Sequence, residues 1–454
     1  MIYDVAVIGG GPAGYSGALY GAKLGAKVVL FEKEHIGGVC LNVGCIPTKC
    51  YAHHAHIIDC IRRDTGKGIY RQAGMFSFEK IFDEKQQVVK RLTGGVAALL
   101  KSAGVTVIRA EAHLQSAHVI LAADVEYRAK KTLICTGSTN ALPPIPGASG
   151  NRVVDSTGLL ALKRLPRSIT MIGAGVIGLE YASILAAMGS KVALVDLLPG
   201  LLPGEDREAV AMLESCLKGK MDFRLGVRVS AIGDRSGQKA VSIHGQQGDE
   251  TLLSDYVLVA TGRVPVNDIP QELGLALDGK GYVKVDGFFR SSLPDIYAAG
   301  DLIGGHMLAH SAYMEAETAV KNALGQRATA DFGLMPRCIF SAPQFAAVGR
   351  TEPREGEEVT FGRFPMAASG KAACMDSREG FVKFMAEKKC GRLLGCTIVG
   401  GEAAEMIMPA VTALHFGAKA ENFLPMIFPH PTLGESVREA ALDIAGFALH
   451  IPQK

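Results

Sequence analysis

The sequence predicts an α/β protein with two similar strand–turn–helix units and a closing α+β unit, and three observations carry that prediction. A glycine-rich turn between an apolar strand and a helix-forming stretch occurs twice, as Gly9-x-Gly11-x-x-Gly14 and as Gly173-x-Gly175-x-x-Gly178. After each, a second apolar strand ends on an acid, Glu32 or Asp196, both 18 residues past the last glycine (14 to 32 and 178 to 196). Beyond residue 332 the pattern changes to β-rich segments and a further helical stretch.

Residues 2 to 8 form the strand entering the first turn, a helix is expected to Leu24, and Lys27 to Phe31 is the second strand. In such a unit the glycines allow a tight turn and close approach of backbone N–H groups to a pyrophosphate. The helix N-terminus favours its charge, and the acid accepts hydrogen bonds from a ribose. One glycine motif alone is weak evidence. Two complete copies imply two Rossmann-like domains, two bound dinucleotides and electrons passed between them.

Between the copies, Ser77 to Ala103 reads as a helix whose apolar positions Val88, Val89, Leu92, Val96, Leu99 and Leu100 suit one face. His53, His54 and His56 fit an exposed helix face better than a metal site, because no matching Cys or acid cluster follows. Val105 to Arg109 and Val119 to Ala122 read as strands, and Leu142-Pro-Pro-Ile-Pro-Gly147 as a linker between domains. The second copy runs through strand Ser168 to Ile172, a helix to Met188 and strand Lys191 to Val195. Ile296-Tyr-Ala-Ala-Gly-Asp301 is a short strand able to present a carboxylate to a polyol. Phe381 to Ala386 and Leu393 to Val399 read as strands, and Ala403 to Phe416 as a helix.

At 454 residues the chain exceeds one ordinary domain and suggests three. A formal charge of +3 is too small at this length to indicate a nucleic-acid surface or a polybasic membrane patch. The start, Met1-Ile-Tyr-Asp, lacks the basic and long apolar regions of a secretory signal, so a cytoplasmic location is expected, with no membrane span. Ten cysteines in so long a chain are not a secreted disulfide framework. In a reducing compartment a persistent pair is catalytic or redox-sensing.

The pair of interest is Cys40 and Cys45 in Cys40-Leu-Asn-Val-Gly-Cys45-Ile-Pro-Thr-Lys49. A regular helix would separate them by roughly 7.5 Å of rise, whereas a disulfide needs Cα atoms closer than about 7 Å. They can therefore meet only in a distorted loop or first helical turn. Gly44 permits the distortion, and Pro47 suits the opening of a helix through Lys49 and Tyr51. The other cysteines read as small buried apolar residues, with Cys50 a rival partner for Cys45.

These motifs, with Leu92-Thr-Gly-Gly, Met307-Leu-Ala-His310 and His430-Pro-Thr-Leu-x-Glu435, make the whole chain resemble the pyridine nucleotide–disulfide oxidoreductases, particularly the dihydrolipoamide dehydrogenase branch. The resemblance implies FAD on the first fingerprint and NAD on the second. FAD would meet Gly9, Gly11, Gly14, Glu32, Lys49, Ala112, Gly137, Asp301 and Ala309; NAD would meet Gly173, Gly175, Gly178, Asp196, Val229 and Gly262. It implies an FAD-binding domain over 1–147, an NAD-binding domain over 148–266, a central segment over 267–331 completing the FAD site, and an interface domain over 332–454. Cys40 would exchange with substrate, Cys45 would face the flavin, and Lys49 would pair with Glu180. His430, oriented by Glu435, would be the base supplied by the other subunit of a homodimer. The implied partners are lipoyl domains of a 2-oxoacid dehydrogenase or glycine cleavage system. Phe428 stands where the family often has a second histidine, and Gln344 where Pro-Glu is usual. Val266 interrupts the usual Gly-Arg-x-Pro-Asn run, and Gly370-Lys371-Ala372 replaces a common Arg-Ala. The alternatives are a reductase of the same fold acting on another disulfide or a metal ion, and a non-catalytic redox sensor.

Overall fold

The structure is a computed structural model that describes residues 1–72, 75–246 and 248–452. Strand Ile2–Ile8 lies between Val28–Phe31 and Val125–Ile134, parallel to both, with Thr106–Ile108 outside Val28–Phe31. Every residue of Val28–Phe31 is buried, as expected of a strand covered on both faces, whose sequence is continuously apolar. Helix α1 (Pro12–Lys23) covers one face through small residues: a Cβ at Gly17 would come within 3.1 Å of Leu133 and 3.3 Å of Ala316. Next come α2 (Gly38–Val43), α3 (Cys45–Gly66) and α4 (Phe78–Ser102), the last opened by the Ser77 hydroxyl accepting from Lys80 N–H. A hairpin, Ala112–Ser116 with Val119–Ala122, extends the sheet in antiparallel fashion.

The second unit repeats the parallel arrangement in the order Asp222–Leu225, Lys191–Asp196, Ser168–Ile172, Tyr256–Val259, Val153–Val154. Its helices are α5 (Ser156–Ala161), α6 (Val176–Met188) and α7 (Arg207–Leu217). An antiparallel three-stranded sheet, Arg228–Arg235, Gln238–Gly245 and Gly248–Ser254, rests on the Pro-rich linker, where Ile232 N–H donates to Pro146 O. After α8 (Asp268–Glu272), strand Ile296–Ala298 returns to pair with Val125–Ile134, so the chain beyond the second unit completes the first sheet. Helix α9 (Ala309–Ala323) then packs on α1, with Ala312, Ala316 and Val320 in the core beside Ala13 and Ala18.

The closing unit is a five-stranded antiparallel sheet, ordered Arg337–Ile339, Gln344–Gly349, Leu393–Gly400, Phe381–Glu387, Val359–Pro365. Its helices are α10 (Gly370–Cys374), α11 (Ala403–Met406), α12 (Met408–His415) and α13 (Glu435–Ala445). Among the described residues no helix is long and apolar enough to cross a membrane.

Three expectations need correction. The single helix over Ala403 to Phe416 is two, because Pro409 lacks the N–H that would continue the ladder and instead sits in the first turn of α12. On α4 the covered face is Ile81, Lys85, Val96 and Leu100, while Leu92 and Leu99 are exposed. Of the remaining cysteines only Cys135 and Cys396 are buried; Cys374 and Cys390 are exposed and the rest lie between.

Candidate active site

Helix α2 ends at Val43 and α3 opens at Cys45, so the two thiols straddle a break at Gly44. That break requires glycine, since a Cβ there would approach Val39 O to 2.9 Å. Cys40 and Cys45 are free thiols whose ionisations depend on each other. Donation from Cys40 lowers the Cys45 thiol to about 7, with burial opposing and the Lys49 charge assisting. The same bond and burial push Cys40 up. Ionisation of the pair is therefore favoured at Cys45, the first residue of α3.

One turn along α3, Lys49 Nζ lies 2.9 Å from the buried Glu180 on α6. The other Glu180 oxygen accepts from Phe340 N–H at 3.0 Å, and Lys49 Nζ lies 4.3 Å from the centre of the Phe340 ring. Thr48 and Tyr181 share a hydroxyl–hydroxyl bond of 2.9 Å, so α3 is fastened to the second unit at two successive residues. The three histidines lie on α3, His53 and His56 exposed and His54 paired with Glu84 at 3.2 Å. Cys50, also on α3, is free and partly covered.

Both fingerprints fit the pyrophosphate of a dinucleotide. The N-termini of α4, α5 and α7 are capped by the side chains of Ser77, Asp155 and Asp206, whereas α1 and α6 start at Gly11 and Gly175 with no side-chain cap and no acid in the first turn. Their free N–H groups and positive dipole ends are left for an anion. A Cβ at Gly14 would meet Gly9 O at 1.7 Å, and one at Gly178 would meet Gly173 O at 1.9 Å. The two acids act alike. Glu32 accepts from Gly10 N–H at 2.6 Å and Glu34 N–H at 2.7 Å; Asp196 accepts from Ala174 N–H at 2.6 Å and Leu198 N–H at 2.8 Å.

Gly137 and Gly262 follow the strands that end beneath each fingerprint, both at positive φ. Ala112 is buried at the start of the hairpin, and Val229 packs on the core beneath the three-stranded sheet. Asp301 follows strand Ile296–Ala298, half-buried, and accepts a hydrogen bond from the Ser138 hydroxyl. Ala309 opens α9, and Glu315 on that helix accepts from Gly300 N–H at 2.8 Å. Burial raises the Glu315 carboxyl to about 7, against the Gly300 bond.

His430 and Glu435 form a second group, on the closing unit. His430 Nδ1 lies 2.9 Å from Glu435 Oε1, and Glu435 Oε2 accepts from Thr432 N–H at 2.8 Å. Burial opposes ionisation of Glu435, but the Thr432 bond and His430 outweigh it and hold the carboxyl below its usual range. The His430 ring is 78% exposed, and among the described residues no hydrogen bond of its own chain joins it to the dithiol. Two departures from the family pattern have structural substitutes: Phe428 stacks on Phe423 with centroids 6.5 Å apart, and Gln344 Oε1 accepts from Ala404 N–H in the first turn of α11.

Sequence reasoning missed Tyr15 and Tyr313, whose hydroxyls meet at 2.7 Å between α1 and α9 close to the dithiol. The available signal was their shared place about one turn into helices that begin at implied cofactor contacts. It also missed Phe340 and Tyr181, for which a single sequence carries no signal.

A dithiol held beside an uncapped fingerprint helix, with a second fingerprint tied to it through Glu180, defines a flavoprotein disulfide oxidoreductase. Residues 3–316 match the family model for pyridine nucleotide–disulphide oxidoreductases, and residues 335–441 match that family's dimerisation domain. The chain belongs to this family, whose members of the dihydrolipoyl dehydrogenase type use FAD and NAD. It is 35% identical to the dihydrolipoyl dehydrogenase of Bacillus subtilis (99% of this chain, 97% of that protein) and 36% identical to that of Thermus scotoductus (99% of each). Among solved structures it is similar to the HOCl-induced flavoprotein disulfide reductase RclA from Escherichia coli, with a TM-score of 0.87 and 29% identity over 97% of this chain and 99% of that one. LpdA from Mycobacterium tuberculosis gives a TM-score of 0.88 and 26% identity over 96% and 99%. The protein is thus an oxidoreductase enzyme of the dihydrolipoyl dehydrogenase type.

Proposed function

We propose that the chain oxidises protein-bound dihydrolipoamide to lipoamide, with NAD as final acceptor, in the cytoplasm. One substrate thiolate attacks the Cys40 sulfur of the Cys40–Cys45 disulfide, the Cys40–Cys45 bond breaks, and Cys45 leaves as a thiolate. The second substrate thiolate then attacks the sulfur bound to Cys40, closing the lipoyl disulfide and releasing the Cys40 thiolate. His430 Nε2 takes a substrate proton, while Glu435 on Nδ1 fixes the ring. When bound, FAD carries the two electrons from the dithiol to NAD. Lys49 and its Glu180 partner position a cation beside Cys45, the thiol whose ionisation is favoured.

The observation that carries this reading is the division of labour: a thiol pair across the α2–α3 break that has its own cation and, among the described residues, no histidine bonded to it, and an exposed, carboxylate-oriented histidine on another unit. A homodimer would bring them together. The segment just before His430 exposes apolar surface, with Ile427 at 96% and Leu424 and Met426 also exposed, which a second copy would cover. Lipoyl domains are the substrate carriers that the names of the relatives support. A second reading is reduction of another disulfide or oxidant at the dithiol; it is favoured by Phe428 in place of a histidine and by the likeness to RclA.

His430→Gln tests both. It should lower turnover of dihydrolipoamide with NAD by ~100- to 10,000-fold, while NADH oxidation by ferricyanide, which needs no thiol base, stays within a few-fold. Once subunit exchange has been demonstrated, mixing His430→Gln and Cys45→Ser chains should restore part of the activity. Unchanged dihydrolipoamide turnover in His430→Gln would reject the base, and inactive mixed dimers would reject the shared site.

A further inference from the structure

The two nucleotide units meet at a small two-stranded ribbon, Ser138–Asn140 paired antiparallel with Arg263–Pro265. Each strand follows the same kind of step: Cys135-Thr136-Gly137 leads to Ser138, and Ala260-Thr261-Gly262 leads to Arg263. The first carbonyl of each step lies directly under its fingerprint. A Cβ at Gly9 would approach Cys135 O to 2.3 Å, and one at Gly173 would approach Ala260 O to 2.4 Å. Ser138 and Arg263 therefore hold equivalent places in the two units, and they bond to each other.

Arg263 Nε donates to Ser138 Oγ at 2.7 Å, and Nη2 donates to Ser138 O at 2.6 Å. Nη1 donates to Asn140 Oδ1 at 2.8 Å, and Asn140 Nδ2 donates to Asp155 Oδ2, whose other oxygen caps α5. Ser138 Oγ in turn donates to Asp301 Oδ2, which lies 3.7 Å from Arg263 Nε. Ser138 is buried and the Arg263 side chain is largely covered. A planar guanidinium that donates from all three of its nitrogens in such a place fixes orientation as well as charge.

We infer that Arg263 is a positioning residue that couples the two nucleotide sites: through Ser138 it orients Asp301 toward the polyol chain of the flavin, and through the adjoining Thr261-Gly262 step it responds to the nicotinamide nucleotide. The inference rests on the reading of Asp301 as a flavin contact. One Asp301 oxygen is taken by Ser138, which leaves Oδ1 to face a polyol hydroxyl.

The test measures flavin, not turnover. FAD affinity is read by fluorescence quenching on apoprotein, and the flavin-release temperature of holoprotein is read with and without NAD. Arg263→Met should weaken FAD roughly 10- to 100-fold, the effect of losing a charge-assisted bond. Arg263→Lys should recover part of it. In the wild type NAD should raise the flavin-release temperature, and in Arg263→Met it should not. If Arg263→Met fails to fold, Ser138→Ala carries the test, since it cuts the hydroxyl bridge to Asp301 and leaves only the longer 3.7 Å approach of the charge, and it too should abolish the NAD response. Full FAD affinity in either variant, an intact NAD response in either, or no NAD response in the wild type would overturn the coupling. Asp301→Asn separates the two levels. If it also leaves FAD affinity unchanged, the flavin-contact reading fails and the coupling with it; if it weakens FAD while Arg263→Met and Ser138→Ala do not, only the coupling fails.

Discussion

The two fingerprint units share their strands, glycines and acids yet differ in how closely the rest of the chain surrounds them. In the first, a Cβ at Gly10 would meet Glu32 and Ile36 within 3.1 Å, one at Gly38 would meet Gly11 Cα at 2.6 Å, and α9 and strand Ile296–Ala298 close over α1 and its sheet. In the second, a Cβ at Gly175 would meet nothing within 4 Å, whereas one at the equivalent Gly11 has Gly38 Cα at 3.8 Å. Leu197 and Leu198, just past the acid, are exposed. On the proposed reading, one binding motif serves two purposes according to what later sequence places around it. The enclosed copy suits a resident cofactor, FAD, and the open copy suits one that must leave after each turnover, NAD.

Exchanging equivalent glycines should separate these purposes most sharply. Gly14→Ala would push a methyl into Gly9 O and Gly178→Ala would push one into Gly173 O, and in both the obstacle is backbone that cannot swing aside. Overpacking of this kind costs at least about 1–3 kcal/mol, or roughly 10- to 100-fold in affinity. Gly14→Ala should yield protein depleted in flavin absorbance. Gly178→Ala should keep its flavin and lose NAD reduction. A Gly178→Ala protein equally depleted in flavin would show that the second site is not separable from the first.

A smaller effect is expected at the acids, whose hydrogen bonds match closely in the two units. Asp196 faces the open site, and Leu197-Leu198-Pro199 supplies no arginine for a 2′-phosphate, so NAD should be preferred to NADP. Asp196→Asn should lower kcat/KM for NAD by about 10-fold, the loss of one charge-assisted bond, without changing flavin content. Glu32→Gln should do the reverse. Equal wild-type efficiency with the two nucleotides would remove Asp196 from that role.

What could be read from sequence was what is local. The fingerprints were legible because strand, turn, helix and acid lie within a few dozen residues, and the break at Gly44 followed from glycine and proline placement. The Lys49–Glu180 pair spans 131 positions and entered through resemblance rather than residue pattern. The Ser138–Arg263 bond, 125 positions apart, gave no sign at all. Periodicity in α4 indicated an apolar face but not what covers it, so Leu92 and Leu99 were grouped with Val96 and Leu100 although they are exposed. The three-stranded sheet over 228–254 was unread because its outer strand, Gly248–Ser254, is mostly exposed and polar.

Lys85 tests how the second unit is attached to the first, and its effect should be the smallest. It lies on α4 with its side chain 3% exposed, donates to Leu160 O on α5 at 2.6 Å, and has its Nζ 3.9 Å from the centre of the Phe82 ring. Among the described residues it has no carboxylate partner, and burial lowers its ammonium from 10.5 to about 8. The folded protein therefore binds this proton less tightly than the unfolded chain. Below pH 8 both states carry the proton and folding bears the whole cost of the buried charge. Between 8 and 10.5 the folded state sheds it first, so this contribution to stability rises with pH and levels off above 10.5. Lys85→Met removes the cost but leaves Leu160 O unpaired and loses the ring contact, so the net gain at pH 7 should be only about 1–2 kcal/mol. That corresponds to an apparent Tm a few degrees higher, with the advantage over wild type shrinking as pH rises above 8 and turning into a deficit by pH 10.5, where only the lost contacts remain. If the bond to Leu160 matters more than the buried charge, Lys85→Met will melt below wild type at pH 7, and α4 will be the strap that holds the open unit against the enclosed one.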